Sequence, residues 1–112
     1  MQKRNEMAEE TLNEKTNLYF RSTGINIRIC ISSKIFQQSP RIKVYNRCNS
    51  KCISLSIEED PQVLEGNPSI VSPTILRQVI DWIPLNKDLL LHYWEHSEMD
   101  IVELLERVRK VE

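Results

Sequence analysis

Over residues 25–31 the chain alternates without a break. Ile25, Ile27, Ile29 and Ile31 fall on one side, and Asn26, Arg28 and Cys30 on the other. A period of two is that of a strand with one buried face. Arg41-Ile42-Lys43-Val44-Tyr45 repeats the pattern, sending Ile42 and Val44 inward and Arg41, Lys43 and Tyr45 outward, and residues 52–57 repeat it with Ile53, Leu55 and Ile57. Consecutive strands with short links form an antiparallel meander with one apolar and one polar face. Residues 62–65 add a short edge strand, ended by Gly66-Asn67-Pro68.

An apolar sheet face needs a cover, and the period lengthens to supply one. After Ser72, a helix cap with Pro73 at the first helical position, Ile75, Leu76, Val79, Ile80 and Ile83 recur at three- and four-residue steps. Pro84 ends or kinks that helix, Asn86 caps a second one bearing Leu89, Leu90, Tyr93 and Trp94, and Asp100 with Glu103 opens a third along Ile101, Leu104, Leu105, Val108 and Val111. Residues 2–17 carry helix-favouring side chains but only a thin stripe of Met7, Ala8 and Leu12, which reads as a marginal helix or a tail. The expected fold is α+β: a three- to four-stranded antiparallel meander with one face covered by C-terminal helices, and a possible N-terminal helix. Residues 1–20 read as a polar segment and 21–112 as a single domain.

Composition leaves that picture standing and adds a charge pattern. The chain has 112 residues, 40% of them apolar and 28% charged, which suits one modest core. No apolar run is long enough to cross a bilayer, and the acidic start differs from a signal peptide, so we expect a cytoplasmic protein. Cys30, Cys48 and Cys52 read as free thiols of a reducing compartment. Net charge is −1, distributed as −1 over residues 1–20, +7 over 21–51 and −7 over 52–112. Such asymmetry means either pairing between the two halves or a basic face for an anionic partner.

Several of these residues carry a family resemblance: the isoleucine-rich first strand, Ser39-Pro40-Arg41-Ile42-Lys43-Val44, Leu55-Ser56-Ile57, Val63-Leu64-Glu65-Gly66-Asn67, and Leu76, Val79, Trp82, Asn86, Leu90 and Trp94. In this combination, over residues 25–96, the chain resembles the bacterial domain-of-unknown-function family 4160. Members of that family show a His-Asn-Pro-Pro-His-Phe-His segment between the first two strands. Here residues 33–43 keep one proline and contain no histidine, so no metal or proton chemistry carries over. The resemblance implies the fold, a bacterial or phage origin, and association with toxin–antitoxin or phage-defence genes.

Four sets of residues could carry chemistry. His92-Tyr93-Trp94-Glu95-His96 matches the H-x-x-E-H arrangement of some zinc proteases, but a third ligand and a cleft are also needed and the domain is small for both, and the blander reading has Trp94 in the core and both histidines at the solvent border. Cys48 and Cys52 with His92 and His96 offer two sulfurs and two nitrogens for a structural zinc, the one cofactor the sequence suggests. Cys30 is a conceivable nucleophile with a histidine, more simply a small strand residue. The basic set Arg28, Lys34, Arg41, Lys43, Arg47 and Lys51, with Tyr45 among them, is the strongest candidate site. It fits an acidic protein partner or, as an alternative, phosphates and one stacked base.

The sequence therefore favours a non-enzymatic interaction module that binds a protein partner through a basic sheet face. Nucleic-acid binding through the same residues stands second, and a small nuclease or zinc-dependent enzyme third.

Overall fold

The computed structural model describes residues 15–32, 39–48, 50–96 and 101–111. Its sheet has five strands, β1 (Lys15–Leu18), β2 (Ile29–Ser32), β3 (Arg41–Tyr45), β4 (Cys52–Ser56) and β5 (Val63–Glu65), in spatial order β1-β2-β3-β4-β5. Every neighbouring pair is antiparallel, so the sheet is an uninterrupted meander. The α+β class and the covered apolar face are as the sequence indicates, with one strand more than expected.

The extra strand is β1, in the segment read as helix or tail. Four residues are too few to show a period, and what makes them a strand is pairing, Thr16 with Ile31 and Leu18 with Ile29. Leu18 is fully buried in the core, so the folded domain takes in residues ahead of position 21. Helix propensity is weak beside such contacts. The remainder of the expected N-terminal helix lies outside the described residues.

The first expected strand also begins later than its alternation suggests. Residues 20–23 form a single helical turn, α1 (Phe20–Thr23), closed by Gly24 in the left-handed conformation with φ 78°. Thr23 Oγ1 accepts from the Ile25 backbone N–H at 3.0 Å, which anchors Ile25 in the core by a turn rather than by sheet pairing. Only from Ile29 does the ladder run.

Register fixes what each face carries. Leu18, Ile29, Val44 and Ile53 align across the inner face, and beside them Thr16, Ile31, Ile42, Leu55 and Val63. Against that face lie α2 (Pro73–Leu85), α3 (Lys87–Glu95) and α4 (Ile101–Arg107), through Val79, Trp82, Ile83, Leu90, Tyr93 and Leu104. Each large apolar side chain removed from water contributes about 1.5–3 kcal/mol. A buried hydrogen bond of 2.9 Å between the Thr16 and Tyr93 hydroxyls ties β1 to α3.

Three details of the helical layer differ from expectation. Tyr93, not Trp94, is the buried aromatic of α3, while Trp94 is half-buried. Leu105 is 41% exposed, so the α4 stripe narrows to Leu104 with partial cover from Val108 and Val111. Pro84 sits in the last turn of α2, and Asn86 follows without capping α3 through its side chain. The expected cap at Asp100 lies outside the described residues.

Candidate binding surface

The polar face of the sheet is a row of five residues, Asn17, Cys30, Lys43, Ser54 and Glu65, one from each strand. Cys30 and Ser54 are buried there, and Ser56 in the adjoining row is too. The face is therefore no open basic plane. Arg41 is drawn into it, with its side chain only 13% exposed. Its guanidinium donates to the Ser39 hydroxyl at 2.9 Å and lies 3.7 Å from the Glu65 carboxylate. A cation held this way is largely spent on the fold.

Arg28 is also engaged, but by an aromatic ring. Its guanidinium carbon lies 3.9 Å from the Tyr45 ring centroid, a cation–π geometry, and its Nε is buried without a hydrogen-bond partner. The stack occupies one face of Tyr45, which counts against that ring as a platform for a base. No carboxylate pairs with Arg28 or Arg47 among the described residues, in contrast to Arg41, Arg77, Lys87 and Arg107.

Arg47 and Lys51 stand exposed on the β3–β4 hairpin loop. The loop is held in shape by Asn46, whose backbone N–H donates to the Lys51 carbonyl at 2.9 Å and whose Oδ1 accepts from the Ser50 N–H at 3.0 Å. Of the basic set, then, Arg28, Arg47 and Lys51 keep charge available near this end of the sheet, Lys43 stands in its middle row, and Arg41 is engaged by Ser39 and Glu65. Lys34 lies outside the described residues.

Two adjoining depressions run along the same end. One, of about 340 Å³, is bounded by Tyr19, Phe20, Arg28 and Arg47; the other, of about 440 Å³, lies between Arg47, Cys48 and the apolar trio Ile27, Ile70 and Ile75. They share Asn26, Ile27, Asn46 and Arg47. Tyr19 is 53% exposed and Phe20 61%. Sequence reasoning missed both aromatics, although two large adjacent apolar residues ahead of Gly24, outside any periodic pattern, were a signal available to it.

The metal candidates are not assembled. Cys52 pairs with Tyr45 and points to the polar side, opposite Ile53, whereas His92 lies on α3 and His96 at its C-cap, across the sheet. The histidine rings are 4.7 Å apart between centroids and both residues are exposed, but no group of three His, Cys, Asp or Glu side chains able to hold a metal occurs among the described residues. Cys30 likewise lies on the face turned away from the histidines. Charged side chains also line a depression of about 360 Å³ at the start of α3, where Glu59 answers Lys87 at 3.3 Å and Glu103 answers Arg107 at 2.9 Å.

No family model matches the chain, and no curated protein and no solved structure matches it significantly. No helix among the described residues is long and apolar enough to cross a membrane.

Proposed function

We propose that this chain is a non-enzymatic interaction module that binds an acidic protein partner at the basic hairpin end of its sheet. The observation that carries the reading is the company kept by Arg28 and Arg47: cations with no carboxylate partner among the described residues, beside the exposed rings of Tyr19 and Phe20. Arginine and aromatic residues are the side chains that anchor protein interfaces. Among the described residues no carboxylate or imidazole lines either depression, and Tyr19 and Cys48 are the titratable uncharged side chains there.

The contact surface thus lies at the end of the sheet and not at its middle, with Lys51 as a flanking charge. A cytoplasmic setting enters the proposal from the three free cysteines, and a bacterial or phage origin with a toxin–antitoxin or defence role from the family resemblance. Nucleic acid is the competing partner, disfavoured by the stack that covers one face of Tyr45.

Chromatography on immobilised poly-glutamate and on immobilised oligothymidylate separates the two. The proposal expects salt-sensitive retention on poly-glutamate that falls on Arg47→Glu and Lys51→Glu together, with weaker retention on the oligonucleotide. Stronger retention on the oligonucleotide, or indifference to the two substitutions, would overturn it.

A further inference from the structure

We infer that the two adjoining depressions form one groove for an extended acidic peptide segment that carries a single large apolar side chain; the inference rests on the proposed protein-binding function and specifies the partner's chemistry. The groove is continuous because Asn26, Ile27, Asn46 and Arg47 wall both halves. Its two ends differ in a way that fixes what lies in it.

At one end Ile27, Ile70 and Ile75 make an apolar floor, and each is only partly buried while packed against the core. A side chain of leucine or phenylalanine size seated there removes its own surface and theirs from water, worth about 25 cal/mol per Å² before binding costs. At the other end, the lining cations Arg28 and Arg47 meet no acidic side chain among the described residues of the groove. An incoming carboxylate therefore finds charges that no described carboxylate already pairs with, unlike the depression at the start of α3. Arg28 is preset for this by its seat on Tyr45, which holds the guanidinium plane and reduces the entropy lost on pairing.

The walls favour an extended peptide over a helix or a folded surface. The groove passes between the hairpin loop, braced through Asn46, and the start of α2, where Ser72 Oγ accepts from the Ile75 N–H at 3.1 Å. Both walls are thus pinned by side-chain-to-backbone hydrogen bonds before any ligand arrives. Preorganised walls cut the ordering cost of binding. Phe20 and Tyr19 stand at the far rim, placed to cover a peptide that leaves along β2.

The test is selection of random twelve-residue peptides displayed on phage against the immobilised full chain, followed by affinity measurement of the enriched peptides in solution. Enriched sequences should carry Asp or Glu within a few positions of one Leu, Ile, Phe or Trp. Their binding should weaken about tenfold on Arg47→Glu and comparably on Ile75→Asp or Phe20→Ala, and stay unchanged on Arg107→Glu across the molecule. Circular dichroism melting of each variant separates loss of binding from loss of fold. Selected peptides that are not acidic, or that bind equally well to the Arg47→Glu and Ile75→Asp variants, would overturn the groove; if those peptides instead lose affinity on Lys51→Glu, the wider module reading survives. Enrichment of nothing, with tight salt-sensitive binding of oligothymidylate, overturns both.

Discussion

The side chain of Asn86 pairs with the backbone of Arg109 as one strand pairs with another. Its Oδ1 accepts from the Arg109 N–H at 2.7 Å, and its Nδ2 donates to the Arg109 carbonyl at 3.0 Å. The same carbonyl accepts from Trp82 Nε1 at 2.9 Å. Asn86 is almost wholly buried, and through these bonds the junction of α2 and α3 fastens the segment that follows α4. That segment in turn reaches α1, where the Val111 N–H donates to the Thr23 carbonyl at 2.9 Å.

Removing the amide should therefore unfasten the C-terminal segment and leave buried backbone groups without partners. Asn86→Ala is expected to cost about 2–3 kcal/mol in urea unfolding, and Asn86→Asp a similar amount, because the acid offers no donor to the Arg109 carbonyl. A loss below about 0.5 kcal/mol in both would refute the fastening role.

The Thr16 and Tyr93 hydroxyls should be energetically coupled across the sheet-to-helix interface. In a double-mutant cycle of Thr16→Val and Tyr93→Phe the coupling is expected near 1 kcal/mol, with Tyr93→Phe costing more than that because it strands the buried Thr16 hydroxyl. Additive costs would show that the bond adds nothing to folding.

Gly66 and Gly24 both sit at positive φ, 90° and 78°, but their surroundings rank them. A Cβ on Gly66 would lie 2.7 Å from the Cys52 carbonyl oxygen and 2.9 Å from Ile53 Cγ2, inside the sheet's own backbone. On Gly24 the nearest atom is the Val111 carbonyl oxygen at 3.0 Å, in a terminal segment better able to shift. Thermal melting should show Gly66→Ala costing about 2–4 kcal/mol and Gly24→Ala less. The reverse order would contradict the packing described.

Where the sequence was legible, period was the reason. The alternation of Ile42 and Val44 with Arg41 and Lys43, and of Ile53 and Leu55 with Ser54, named the inward faces of β3 and β4, and the three- and four-step spacing of Val79 and Ile83 named the buried side of α2. Period failed at the ends. Residues 25–28 alternate yet precede the ladder, because Gly24 and Thr23 set a turn there, and Lys15–Leu18 is a strand only by virtue of its partner. Asn86 looked like a cap and serves as a clamp, since what a side-chain amide bonds to depends on a segment 23 residues away.

The candidate site was legible by residue type and not by availability. Arg28, Lys43, Arg47 and Lys51 lie on the polar side or its hairpin, but nothing in the spacing marked Arg41 as held by Ser39 and Glu65, or Tyr45 as covered by Arg28. The groove joins residues 19–28, 46–48 and 70–75, a proximity that exists only once the sheet and α2 are assembled.

Zinc at the two histidines can be tested apart from binding. Equilibration with zinc should leave the melting temperature of the native protein unchanged relative to chelator-treated protein, and His92→Ala should behave the same way, because the two histidines find no third metal ligand among the described residues. A zinc-dependent rise lost on His92→Ala would restore a metal site at α3.

The central claim is that partners bind at the hairpin end of the sheet and not across its middle. The most direct measurement is a ¹H–¹⁵N correlation titration of the full chain with a short glutamate-rich peptide containing one leucine. The account predicts shifts concentrated at Asn26, Ile27, Arg28, Asn46, Arg47 and Ile75. Shifts centred on Lys43 and Ser54, or on α3 at Lys87 and His92, would contradict it.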